Sequence, residues 1–193
     1  MSTVDPAAPP ITADQLLGIS VQLRNHGKRC ELVSGELRIM SPTGGEHGVL
    51  SARIAAVLNV HVATNGLGVC FGAETGFVVQ RDPDTVKAPD AAFVKQDRID
   101  AVGISAKYFP EAPTLAVEVV SPSESEDEVH AKARMWIESG SEMVWVVWPE
   151  DRTVSVYRPQ QEVLKVGEAE TLDGGGVAPG FAVEVAELFA GLS

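Results

Sequence analysis

The run Leu115-Ala116-Val117-Glu118-Val119-Val120 constrains the fold more than any other segment of the chain. It is short, rich in β-branched residues, and apolar everywhere except at Glu118. A strand that is apolar on both faces belongs in the middle of a sheet covered on both sides, as in α/β proteins. Glu118 breaks that pattern. Desolvating an unpaired carboxylate costs about several kcal/mol or forces it to take up a proton. Glu118 therefore either meets a cation or is kept for chemistry.

The flanking patterns supply the layers. Thr12 with Gln15 three residues on has the form of a capping box, and Leu16, Ile19 and Leu23 make one stripe of a helix over residues 11–25 that stops at Gly27. Two alternating runs, 29–33 and 36–40, join across Ser34-Gly35 as a hairpin. Leu50, Ile54, Leu58 and Val62 recur every fourth residue and mark a long helix over 46–64. Strands are expected at 68–72, 76–80 and 88–94, then a polar, irregular stretch over 96–113 with a short helix. Ser123, with Glu126 three residues later, predicts a capped helix reaching 139, and the acids Glu124, Glu126, Asp127 and Glu128 suit its N-terminal dipole. Strands at 143–148 and 153–157, a weaker one at 163–166, and a strand and helical turn within 181–192 complete the chain. This order predicts an α/β fold with a central mixed, curved β-sheet flanked by helices.

The 193 residues suit one domain, expected over 11–193, behind a Pro- and Ala-rich tail, 1–10, expected to be disordered. The tail lacks the basic start and apolar run of a secretory signal. No apolar stretch reaches the roughly 18 residues that span a bilayer. Cys30 and Cys70 have no metal-ligand spacing and read as reduced thiols of a cytoplasmic protein. The net charge of −12 and pI of about 4.7 argue against a broad basic face for nucleic acid. Bound cations could still bridge acids to phosphate, although non-specific affinity for DNA should be weak at physiological salt.

The candidate chemistry lies in a few polar residues. Asp90 follows Pro89 at an irregular strand start, from which it is free to reach a cleft. Asp90 and Glu118 together offer the hard oxygen ligands that Mg²⁺ prefers, and a metal there would activate water beside a phosphate. Lys132 lies on the helix after Glu118 and would position that water or hold the phosphate. Glu46 and His47 open the long helix, where Glu46 is a further candidate ligand. Blander readings stand beside each of these. Asp90 serves a turn, Glu118 pairs with an Arg or Lys, Lys132 pairs with Glu128 on its own helix, and Glu46 complements the helix dipole. There is no Walker loop, no GxGxxG and no GxSxG.

Taken in order, several short motifs resemble the Uma2 family (DUF820), labelled restriction endonucleases. They are Cys30-Glu31-Leu32-Val33-Ser34-Gly35-Glu36-Leu37, Met40-Ser41-Pro42, Glu46-His47, Ala88-Pro89-Asp90, Val117 to Ser123, Lys132 with Trp136, Val144-Trp145-Val146-Val147, Pro179-Gly180-Phe181 and Glu187-Leu188-Phe189. The resemblance implies the restriction-endonuclease-like fold of the PD-(D/E)xK superfamily, with Asp90 and Glu118 as its acids and the Val119 carbonyl as a further metal ligand. The customary lysine position falls on Val120, so the resemblance assigns that role to Lys132. It also matches Glu46 to a helix acid. The chain departs from its relatives in the acidic segment 124–128.

The leading expectation is thus an endonuclease dependent on Mg²⁺ or Mn²⁺, acting on DNA, with self-association as a homodimer. The alternative is a catalytically inactive interaction protein on a nuclease scaffold, which the acidic surface favours. A carboxylate-pair glycosidase is disfavoured, because no interleaved aromatics mark a sugar cleft.

Overall fold

The computed structural model describes residues 9–192. The expected disordered tail therefore lies mostly outside the described residues. Helix α1 (Ala13–Arg24) is opened by the Thr12–Gln15 capping box. Its first N–H, on Ala13, is tied to the buried carboxylate of Asp84 at 2.8 Å. Strands β1 (Arg29–Val33) and β2 (Glu36–Met40) form the expected hairpin, with Ser34 and Gly35 both at positive φ, as a two-residue turn of this hand requires. Gly35 is needed for a second reason: a Cβ there would sit 2.3 Å from the Pro10 ring.

Helix α2 (Gly45–Thr64) buries the predicted Leu50, Ile54, Leu58 and Val62. Each such burial contributes roughly 1.5–3 kcal/mol. Next come β3 (Gly68–Gly72), β4 (Phe77–Gln80), β5 (Thr85–Lys87), β6 (Ala91–Lys95) and α3 (Gln96–Val102). The sequence pattern does not mark β5 and starts the next strand at Ala88, three residues before β6. The structure separates the two strands at Ala88-Pro89-Asp90, because proline supplies no N–H for a ladder.

Strand β7 (Leu115–Val119) leads through α4 (Glu126–Glu138) to β8 (Met143–Trp148), and β7 and β8 pair in parallel. That crossover is what parallel neighbours need. The cap of α4 is Ser125 with Glu128, two residues later than expected, because Ser121 to Glu124 first closes a turn of its own. The chain ends with β9 (Thr153–Tyr157), β10 (Leu164–Val166), the ribbon β11 (Thr171–Asp173) and β12 (Ala182–Glu184), and α5 (Val185–Phe189). β12 and α5 are the strand and helical turn expected within 181–192, whereas the sequence pattern does not mark β11.

The central sheet has six strands in the order β10-β9-β8-β7-β6-β3, parallel only between β7 and β8 and so mixed, as expected. A second sheet, β2-β1-β5-β4, stands beside it. One face of the central sheet packs Leu115, Val117, Val119, Trp145 and Val147 against α2 and the C-terminal segment. The other packs Ala116, Val144 and Val146 against Val129, Ala133 and Trp136 of α4. Alternation along β7 places Glu118 on this second face with Ala116. Among the described residues no helix is long and apolar enough to cross a membrane.

Candidate active site

Asp90 sits in the bend that ends at β6, and its backbone N–H donates to the Val117 carbonyl at 2.9 Å. Its Oδ2 in turn accepts the Val119 N–H at 2.8 Å. These two bonds lock Asp90 against the end of β7, one residue from Glu118. The proline before it places the bend, and the bend lets an acid leave the strand plane.

Glu118 is almost completely buried, yet both of its oxygens are engaged by α4. Trp136 Nε1 donates to Oε1 at 2.7 Å, and Lys132 Nζ stands 2.8 Å from Oε2. Residues 132 and 136 lie one turn apart, so one helix face delivers both donors. Burial pushes the Glu118 carboxyl up to about 7; Lys132 opposes that shift and the nearby Asp90 charge adds to it. Burial alone would pull the Lys132 ammonium down, but Glu118 outweighs it and holds Lys132 above its ordinary value. Lys132 also meets Glu124 at 3.6 Å. Glu128, its anticipated partner, is instead committed to the helix cap.

His47 approaches Asp90 from α2, with Nε2 3.3 Å from Oδ2. Its hydrogen bond to Asp90 raises the pKa of the ring, with burial working against it. Ser51 flanks the other ring nitrogen at 3.2 Å. Asp90, Glu118, Lys132, His47 and Val119 all line one cavity of about 360 Å³, open to solvent. Glu46, by contrast, is exposed and does not line it. Gly45 starts the helix, and its rotation turns residue 47 inward and residue 46 outward, where Glu46 acts on the charge of Arg152. The structure thus brings three of the four anticipated side chains together and leaves Glu46 outside.

A second ion pair borders the same cavity. Lys87 Nζ is 2.7 Å from Glu31 Oε2, and Glu31 Oε1 accepts the Ala88 N–H at 3.2 Å. Glu31 thereby pins the start of the turn that carries Asp90.

The donor set suits a hard divalent cation. Asp90 Oδ1 has no protein partner among the described residues, and each Glu118 oxygen, with one donor apiece, retains a spare lone pair. Two like charges crowd one cavity, and a cation would relieve that crowding. No group of three or more His, Cys, Asp or Glu side chains is gathered as a cage among the described residues. Mg²⁺ needs none, since one or two carboxylates with water and phosphate usually complete its shell.

The family model for Uma2, described as "Putative restriction endonuclease", matches residues 14–186. The chain belongs to the Uma2 family. It is also similar in fold to the crystal structure of "a putative nuclease belonging to DUF820" from Anabaena variabilis ATCC 29413, at 24% identity and a TM-score of 0.76, covering 93% of this chain and 98% of that one. No curated protein matches. This Uma2 chain thus has the nuclease fold that its motif order implied. The sequence reading ranked His47 below Glu46 and missed the Glu31–Lys87 pair as part of the site. Both had a signal. His47 lies three residues before Leu50 on the buried stripe of α2, and Glu31 is, like Glu118, a carboxylate inside a strand with buried neighbours.

Proposed function

We propose that this Uma2 protein is a divalent-metal-dependent endonuclease that hydrolyses phosphodiester bonds of DNA, with residues 11–193 as its nuclease domain. One observation carries the reading: the side chains of Asp90, Glu118 and Lys132 converge on a single solvent-open cavity. In this reading Asp90, Glu118 and the Val119 carbonyl hold Mg²⁺ or Mn²⁺. When bound, that ion supplies an activated water and a positive centre opposite the phosphate.

The remaining work falls to the chain itself. Lys132, kept cationic by Glu118, steadies the attacking water or a non-bridging phosphate oxygen as negative charge grows there. Trp136 fixes the orientation of the Glu118 carboxylate. His47 and the Val119 N–H hold Asp90 Oδ2, which leaves Oδ1 to face the cavity. Hydrolysis then forms a bond from phosphorus to the water oxygen and breaks the bond to the leaving sugar oxygen. Glu46 has no part in this arrangement.

A second reading, a catalytically silent nuclease-fold interaction protein, is favoured by Glu124, which competes with substrate for the Lys132 amine. Cleavage of single-stranded DNA and of a plasmid, each with Mg²⁺ and with Mn²⁺, separates the two. The nuclease reading predicts cleavage by the wild type, reduced by about 10²-fold or more in Lys132→Ala. Absence of cleavage with either ion, in protein that binds metal, would support the silent scaffold.

A further inference from the structure

The site cavity continues well beyond the catalytic acids. Five of the chain's 15 Lys and Arg residues line it, in a protein of net charge −12. Three of the five are already held: Lys132 by Glu118, Lys87 by Glu31, and Arg29 by Glu74 at 3.5 Å. Arg24 and Lys28 differ. Both are exposed, both line the cavity, and neither has a carboxylate within ion-pair distance among the described residues. They come from the last turn of α1 and the loop after it. Beside them on the rim stand Ile39 and Met40 of β2, large apolar side chains that are 54% and 40% exposed. β2 is the edge strand of its sheet.

We infer that Arg24 and Lys28, with Ile39 and Met40, form a subsite for a single-stranded segment of nucleic acid leading down to the acids. The inference rests on the nuclease reading and deepens it by naming the form of the substrate. Two unpaired cations suit successive backbone phosphates, and exposed aliphatic side chains can pack against the faces of unpaired bases. The enclosure of the acids by their neighbours argues against an intact duplex. Only 14% of the Asp90 side chain and 5% of the Glu118 side chain is accessible. A phosphate held on the wall of a double helix would have to leave that helix to reach them. The cations are also too few to grip a duplex through its backbone charge, a mode that needs a broad basic face.

The test is binding without cleavage. Fluorescence anisotropy in EDTA compares a labelled single-stranded 12-mer with the same sequence as a duplex. The subsite predicts single-strand binding about tenfold tighter than duplex binding. Arg24→Ala with Lys28→Ala should weaken single-strand binding about tenfold. It should also flatten the slope of log affinity against log salt by about 0.7 for each phosphate no longer neutralised. Lys165→Ala, at an exposed cation outside the cavity, should change neither. Both cavity cations are exposed, so folding should survive, and thermal unfolding checks that it does. Equal or tighter duplex binding, no binding by the wild type, or unchanged binding in the double variant would each overturn the inference. Because no metal is present, these outcomes do not depend on the metal site. Metal binding without strand preference would remove the subsite alone, and strand preference without metal binding would remove the nuclease reading alone.

Discussion

The two faces of the central sheet are built to different ends. On the α2 face, Leu115, Val117 and Val119 pack within one large apolar cluster, and the packing serves stability. On the α4 face, the same strand presents Ala116 and Glu118, and Glu118 is surrounded by donors from α4. Replacing a buried ion pair by apolar residues of similar size is often neutral or stabilising. A carboxylate is therefore a poor choice for holding two layers together. Its presence on one face only shows where the strand departs from a packing role.

That contrast can be broken by substitution. The largest loss should come from Leu115→Ala on the apolar face, about 2–5 kcal/mol in denaturant unfolding, because both transfer energy and a cavity term are lost. A loss below about 1 kcal/mol would mean that this face collapses easily. Lys132→Met should come next. It leaves Glu118 buried without its cation, at a cost of up to about 3–5 kcal/mol near pH 8. At pH 5 Glu118 takes up a proton, and the cost should shrink. Combining Lys132→Met with Glu118→Gln should restore wild-type stability or exceed it, since the introduced amide oxygen would still accept from Trp136. Failure of that rescue would show that the pair serves packing after all.

The pH dependence sharpens the same point. Glu118 in the folded chain has its pKa raised to about 7, so its contribution to stability is complete below the ordinary carboxylate range and is lost as pH rises towards 7. His47 is also raised, and its contribution is lost as pH climbs through its folded value. Both make the metal-free protein less stable from pH 5 to pH 8, at no more than about 1.4 kcal/mol per pH unit for each group. Glu118→Gln should remove the Glu118 part of that slope and leave the His47 part. The smallest effect is expected from Ser125→Ala, about 1 kcal/mol, through loss of the α4 cap. It should not depend on pH between 6 and 8.

The elements most legible in the sequence are those with strong local signals. The Ser34-Gly35 hairpin, the stripe of α2, and the strands β7, β8 and β9 carry their pattern within a few residues. Asp90 and Glu118 are legible because a polar residue in an apolar setting, and one following a proline, stand out without any knowledge of contacts, whereas Lys132 is picked out by its place on the helix after Glu118 and by the resemblance to Uma2. Other features depend on geometry that one-dimensional patterns do not carry. The N-cap of α4 falls at Ser125 because Ser121 to Glu124 forms a competing turn. The inward turn of His47 in place of Glu46 follows from the rotation of α2, which is set by where its buried stripe meets the sheet. The partner of Lys132 lies on a different element, so spacing along the helix points to Glu128 instead of Glu118 and Glu124.

The central claim is that Asp90 and Glu118 share a divalent cation at the base of the cavity. Anomalous diffraction from a crystal soaked in Mn²⁺ tests it most directly. The account predicts a peak within about 2.0–2.6 Å of a carboxylate oxygen from each residue, absent from Asp90→Ala crystals soaked in the same way. A wild-type crystal with no peak between the two acids, or with Mn²⁺ bound only elsewhere, would contradict it.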